Sequence, residues 1–111
     1  MQLLSYAVNS LKSRSSARVY IDAGHSQWIN ASTMANELSQ SNIARADGFS
    51  LNVSNFMATN DEVAYGQQVS SLDGGKHFVV DTSRNGNGSN GEWCNPSGRA
   101  IGIKPTKNTG N

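Results

Sequence analysis

The sequence predicts an α/β fold with about three parallel strands. Three apolar, strand-like runs each end in a polar cluster: residues 17–21 lead into 22–28, residues 49–53 into 54–56, and residues 78–80 into 81–88. Helical periodicity follows each of the first two runs. Successive strand ends lie about 30 residues apart, the length a strand–helix–strand unit needs. Such helices return the chain to the same end of a parallel sheet, so the loops after the strands gather there. Asp22, His25, Trp28, Asn55 and Asp81 are therefore expected near one cleft despite their separation in sequence.

Each element has its own signal. Leu3, Leu4, Ala7, Val8 and Leu11 recur at helical spacing and predict a helix over residues 2–13. The Ser-Arg-Ser-Ser stretch breaks it. Residues 17–22 carry the β-branched and aromatic character of a strand. Ala31, Met34, Ala35 and Leu38 predict a helix over 31–41, and residues 48–54 a second strand. Thr59-Asn-Asp-Glu62 matches a capping box, with Tyr65, Val69 and Leu72 continuing that helix. Gly74-Gly75 ends it, because glycine takes the left-handed conformation a helix stop needs. Residues 76–81 form the third strand. Residues 82–111 are rich in Gly, Asn, Pro and Ser without periodicity, a long functional loop or a segment missing its packing partner.

A chain of 111 residues makes one domain or part of one. Charged residues are 15% and the formal net charge is +1, so no basic stripe favours nucleic acid. No run of 18 apolar residues provides a membrane span. The first ten residues lack the basic start and apolar core of a signal peptide, so the protein is cytosolic or its true beginning lies elsewhere. Cys94 is the only cysteine, a buried thiol or half of a disulfide with a partner outside the chain. Abundant uncharged Asn, Ser and Gly suit a neutral polyhydroxylated ligand.

Several residues carry candidate chemistry. Asp22 and His25 form an Asp-x-x-His pair after a strand, suited to orienting an imidazole for acid–base work. They also suit two ligands of a metal, but no spacing nominates a third and fourth. The plainer reading is an Asp capping local amides beside a surface His. Trp28 is a core plug or a stacking platform for the apolar face of a sugar. Asp81 and Arg84 are a structural ion pair or a charge lining the cleft. Gly86-Asn-Gly-Ser-Asn-Gly91 spells a dinucleotide fingerprint, but that motif must open a helix and have an acid about 20 residues later; no acid follows Glu92. These glycines are expected to let a long loop fold tightly.

Taken together, five stretches resemble glycoside hydrolase family 6, the cellulose-degrading endoglucanases and cellobiohydrolases. They are Val19-Tyr-Ile-Asp-Ala-Gly-His-Ser-Gln-Trp28, Gly48-Phe-Ser-Leu-Asn-Val-Ser-Asn-Phe56, Phe78-Val-Val-Asp-Thr-Ser-Arg-Asn-Gly-Asn-Gly88, Glu92-Trp-Cys-Asn-Pro-Ser-Gly-Arg-Ala-Ile-Gly102 and Pro105-Thr-Lys-Asn-Thr-Gly110. They stand in the family's order over essentially the whole chain, and the bacterial branch is the more similar. The resemblance implies a distorted (β/α) barrel resembling the TIM barrel, with its groove at the strand C-termini. It implies hydrolysis of β-1,4-glucan with inversion, no metal and no organic cofactor. Residue by residue, Asp22 matches a supporting carboxylate near the cleavage point. His25 and Trp28 match leaving-group-side sugar contacts, Asn55 a polar contact, and Trp93 a stacking residue on the non-reducing side. Asp81 and Arg84 match a motif that lines the cleft or supports it.

The family's general acid lies in an earlier loop, and its candidate base lies beyond Asn111, as does the expected disulfide partner of Cys94. Residues 1–111 are therefore expected to be an internal part of a secreted catalytic domain, inactive alone, with cellulose or cello-oligosaccharides as partners. The full-length enzyme is expected to be a monomer that binds neither membrane nor nucleic acid. Two alternatives come from other classes. A non-catalytic carbohydrate-binding module using Trp28 and Trp93 predicts a self-contained, usually all-β fold. A dinucleotide-dependent enzyme needs a helix after Gly91.

Overall fold

A computed structural model describes residues 1–109; Gly110, the last residue of the closing motif, lies outside the described residues. The order is α1 (Gln2–Arg14), β1 (Tyr20–Asp22), α2 (Ala31–Gln40), β2 (Gly48–Leu51), α3 (Thr59–Leu72) and β3 (His77–Val80). The three strands form one open parallel sheet in the order β1-β2-β3. This is the expected α/β class, and it is not the all-β architecture of the binding-module alternative.

Strand alternation explains the core. Ile21, Phe49 and Phe78 are in register and buried. The Phe49 and Phe78 rings stack with centroids 5.4 Å apart. Met34, Ala35 and Leu38 of α2 and Tyr65 and Val69 of α3 belong to the same buried cluster. Each large apolar side chain fully buried there contributes about 1.5–3 kcal/mol. Gly66 lets α3 approach the sheet, since a Cβ there would enter the Phe78 ring. The alternate positions Tyr20, Asp22, His77 and Val79 are exposed.

Boundaries differ from expectation where side chains intervene. β1 starts at Tyr20 rather than residue 17, because the Val19 amide donates to the Asp47 carboxylate (2.7 Å). β2 stops at Leu51 because Asn52 and Ser54 take left-handed φ values of 68° and 61°. The capping box does not form. Ala58 is the N-cap and has no side-chain bond, Thr59 Oγ1 accepts from Asn85 Nδ2, and Glu62 is drawn into the interior. The side-chain cap belongs instead to α2, where Asn30 accepts from the Thr33 amide (2.9 Å). The α3 stop is as expected, with Gly74 and Gly75 at φ 90° and 85°. Of the apolar residues that predict α1, only Val8 is buried. That helix is tied down mainly by polar bonds: Asn42 and Arg45 donate to Asn9, and Lys12 pairs with Asp47.

Candidate functional site

The backbone ladder continues past the strand ends and draws the loops together. Ala23 donates to the Ser50 carbonyl (2.8 Å), Asn52 to the Gly24 carbonyl (2.7 Å) and Asp81 to the Leu51 carbonyl (3.0 Å). Asn52, 0% exposed, then ties the loops by its side chain. Its Nδ2 donates to the Met57 and Asp81 carbonyls and its Oδ1 accepts from the Met57 amide, all at 3.0 Å. Asn85 adds a second tie, donating to the Met57 carbonyl and Thr59 Oγ1 at 2.9 Å. Loops after all three strands are thus held at the sheet's C-terminal edge.

On this frame, His25 and Gln27 from the first loop, Asn55, Phe56 and Met57 from the second, and Ser89, Gly91, Glu92 and Trp93 from the third line a cleft of about 200 Å³. Three of the predicted residues, His25, Asn55 and Trp93, therefore share one wall system. His25 Nδ1 accepts from the Gln27 amide (3.3 Å), so a neutral ring carries its proton on Nε2. Asn55 donates its side-chain amide to the Val53 carbonyl (3.0 Å). Trp93 is 82% exposed.

The other candidates are not part of this lining. Asp22 is exposed at the end of β1, where one oxygen accepts from the Gly24 amide (2.9 Å). It caps its own turn and does not orient His25, whose bond goes to Gln27. Trp28 is 61% exposed, too open for a core plug. Its ring edge lies over Gly24, where an added Cβ would sit 2.6 Å from Trp28 Cε3. Burial raises the Asp81 carboxyl pKa, but bonds from Ser83 and the nearby Arg84 charge outweigh it, so the group titrates below its usual 3.8. The ion pair suggested for Asp81 and Arg84 does not close. The salt bridges among the described residues both fall on Asp47, and Arg84 donates to Ser83 Oγ instead. Cys94 is exposed.

A larger hollow of about 590 Å³ lies between the start of α3 and segments 85–88 and 101–103, and it holds none of the predicted residues. The glycine-rich loop closes on that side by Gly86 donating to Ala100 and Gly102 to Thr82, both at 2.8 Å. No helix follows Gly91 among the described residues, which removes the dinucleotide reading. Those residues also contain no group of three His, Cys, Asp or Glu able to hold a metal ion.

The family model described as "Glycosyl hydrolases family 6" matches residues 1–111. The chain belongs to that family. Among its relatives is "Endoglucanase A" of Cellulomonas fimi, 59% identical over 102 residues, covering 92% of this chain and 22% of the relative. "Endoglucanase 1" of Streptomyces halstedii is 54% identical over 97 residues, covering 83% and 30%. Among solved structures, the endoglucanase Cel6 from Mycobacterium tuberculosis, in complex with methyl-cellobiosyl-4-deoxy-4-thio-β-D-cellobioside, superposes with a TM-score of 0.91. It is 51% identical, and the match covers 96% of this chain and 38% of that one. The chain therefore spans between about a fifth and two-fifths of the length of these family 6 relatives.

Within this family 6 chain, sequence reading missed the residues that hold the loops. Asn52 had one available signal: an Asn closing an apolar run is a residue type that tolerates positive φ and ends strands. Glu62 was hidden by its own spacing, since a Glu three residues after Thr59 satisfies the capping pattern while pointing elsewhere.

Proposed function

We propose that this chain supplies the substrate-holding part of an enzyme that hydrolyses β-1,4-glucosidic bonds in cellulose with inversion. The observation that carries the reading is the convergence of His25, Asn55 and Trp93, from three different loops, on one cleft in a family 6 chain. A stack of neutral glucose rings needs what this edge offers. It needs open indole faces for the apolar C–H surfaces and uncharged donors and acceptors for the hydroxyls. Trp28 and Trp93 serve as platforms, each contributing about 1 kcal/mol by analogy with aromatic pairs. His25 Nε2–H and Asn55 Oδ1 meet hydroxyls. Asp22, with one oxygen already satisfied by Gly24, is the supporting carboxylate beside the cleavage point.

Inversion needs an acid to protonate the leaving oxygen and a base-assisted water on the opposite sugar face. We assign both principal groups to parts of the enzyme other than these residues. In that enzyme the three strands belong to a distorted (β/α) barrel, and the protein works as a secreted monomer. Secretion follows from the substrate: an insoluble polymer does not enter a cell. Ligands in the related solved structures are cello-oligosaccharide analogues, which supports the substrate class.

The test is cellohexaose titration of the complete gene product carrying this chain, with Trp28→Ala and Trp93→Ala beside wild type. Each variant should lose about fivefold in affinity, the equivalent of about 1 kcal/mol, with little change in thermal stability. A large drop in melting temperature with affinity intact would mean that the rings are core residues, and the reading would fail.

A further inference from the structure

We infer that α3 clamps the loop carrying His25 and Trp28 at two points, making Glu62 and Tyr65 positioning residues for the sugar site. The inference rests on the reading of Trp28 as a platform. Glu62 is 0% exposed, yet it lies on the first turn of a helix whose start is otherwise polar and open. Its Oε1 accepts from the Ser26 amide (2.9 Å), a bond that spans 36 residues of sequence. One turn on, Tyr65 is also buried, and its hydroxyl donates to the Ile29 carbonyl (2.8 Å). Residues three apart share a helix face. One rigid face thus grips the loop at Ser26 and at Ile29, and Trp28 lies between the two grips.

The chemistry favours a positioning role over simple packing. A buried carboxylate is costly unless its bonds repay the lost water. Here Glu62 Oε2 and Ser26 Oγ are both buried without a protein partner, so the carboxylate is incompletely repaid. A leucine or methionine would fill an interior position beside Val69 more cheaply. What Glu62 supplies, and an apolar residue cannot, is an acceptor fixed for the amide next to His25. Burial, and then the Glu62 charge, push the Tyr65 hydroxyl pKa up to about 12, so Tyr65 remains a donor throughout the working pH range. Between the grips, Trp28 donates its amide to the His25 carbonyl (3.1 Å) and its ring rests over Gly24. The indole's angle to the cleft therefore depends on where α3 holds the backbone.

A double-mutant cycle on cellohexaose dissociation constants in the complete gene product tests this. Glu62→Ala and Tyr65→Phe should each weaken binding about fivefold when Trp28 is present, and by no more than about twofold, the share carried by His25, when it is alanine. Glu62→Gln, which keeps an acceptor for Ser26, should stay within about twofold of wild type. Equal losses with and without Trp28, or a lower melting temperature with affinity intact, would overturn the inference. If Glu62→Ala does not fold, Tyr65→Phe carries the cycle. If Trp28→Ala alone leaves affinity unchanged, the platform reading has failed, and amide exchange decides the clamp separately. Ser26 exchange should then rise at least about tenfold in Glu62→Ala or, failing that variant, Ile29-loop exchange should rise similarly in Tyr65→Phe, with β3 amides unchanged. No rise in either would overturn the clamp.

Discussion

Replacing Asn52 by alanine removes the side-chain tie between the loops after β2 and β3, while the backbone bond from its amide to the Gly24 carbonyl stays. Three side-chain bonds are lost, each 3.0 Å long: two donated by Nδ2, to Met57 and Asp81, and one accepted from the Met57 amide. Each is worth about 1 kcal/mol net, and a buried N–H left alone costs about 1–3 kcal/mol. The Met57 carbonyl keeps its bond from Asn85, so that loss is the cheapest of the three. Alanine must also adopt the φ of 68° that asparagine tolerates, at a further cost of about 1 kcal/mol. The expected destabilisation is about 3–5 kcal/mol. Urea unfolding of the complete gene product measures it. Asn52→Gly should recover about 1 kcal/mol of the loss by relieving the backbone alone. An alanine variant within about 1 kcal/mol of wild type would show that these bonds do not hold the loops, because two buried bonds and one half-buried bond cannot all vanish that cheaply.

Other expectations follow from the same geometry. Gly24→Ala should displace the Trp28 ring and reproduce the affinity loss of Trp28→Ala, with about 1–2 kcal/mol of instability from φ 69°; oligosaccharide titration and urea unfolding check the two effects. Asp47 accepts from Lys12, Val19 and Arg18, and these bonds hold its carboxyl well below the usual 3.8 against the opposing effect of burial. The unfolded chain therefore takes up the proton first, and the stabilisation, complete above pH 3.8, is lost as pH falls through the lower folded value. The stability gap between wild type and Asp47→Asn should shrink on acidification below that point, as followed by acid unfolding. Cys94, exposed in the long loop, is expected to be bridged to a cysteine outside residues 1–111. It should resist alkylation in the folded, non-reduced protein and react after reduction.

Element types were readable because period and composition agreed. Ile21, Phe49 and Phe78 sit on the three apolar runs whose β-branched and aromatic character predicts strands, and Gly74-Gly75 marks a stop that only backbone chemistry is needed to see. Boundaries were less readable, because long-range side chains set them. The Asp47 carboxylate takes the Val19 amide and delays β1, and the left-handed Asn52 ends β2 early. Of the site, the strand-end position of His25 and Asn55 was legible in the residues, Trp93 was nominated by the family resemblance, and one cleft is lined by all three. Asp22 and Trp28 are not in its lining, and Asp81 and Arg84 do not pair. Glu62 was misread for a physical reason. Local spacing predicts a bond to its own helix start, whereas burial against the first loop offers the Ser26 amide instead. A tertiary partner 36 residues away leaves no trace in local pattern.

In the reading proposed above, the edge carrying Asp22, His25, Trp28, Asn55 and Trp93 serves inverting hydrolysis of β-1,4-glucan. The most direct test is proton NMR of cellohexaose cleavage by the complete gene product, wild type beside Asp22→Asn. The first reducing ends released should be α-anomers, and the variant, still folded, should turn over at least about a hundredfold more slowly. Release of β-anomers, or full turnover by the folded Asp22→Asn variant, would contradict it.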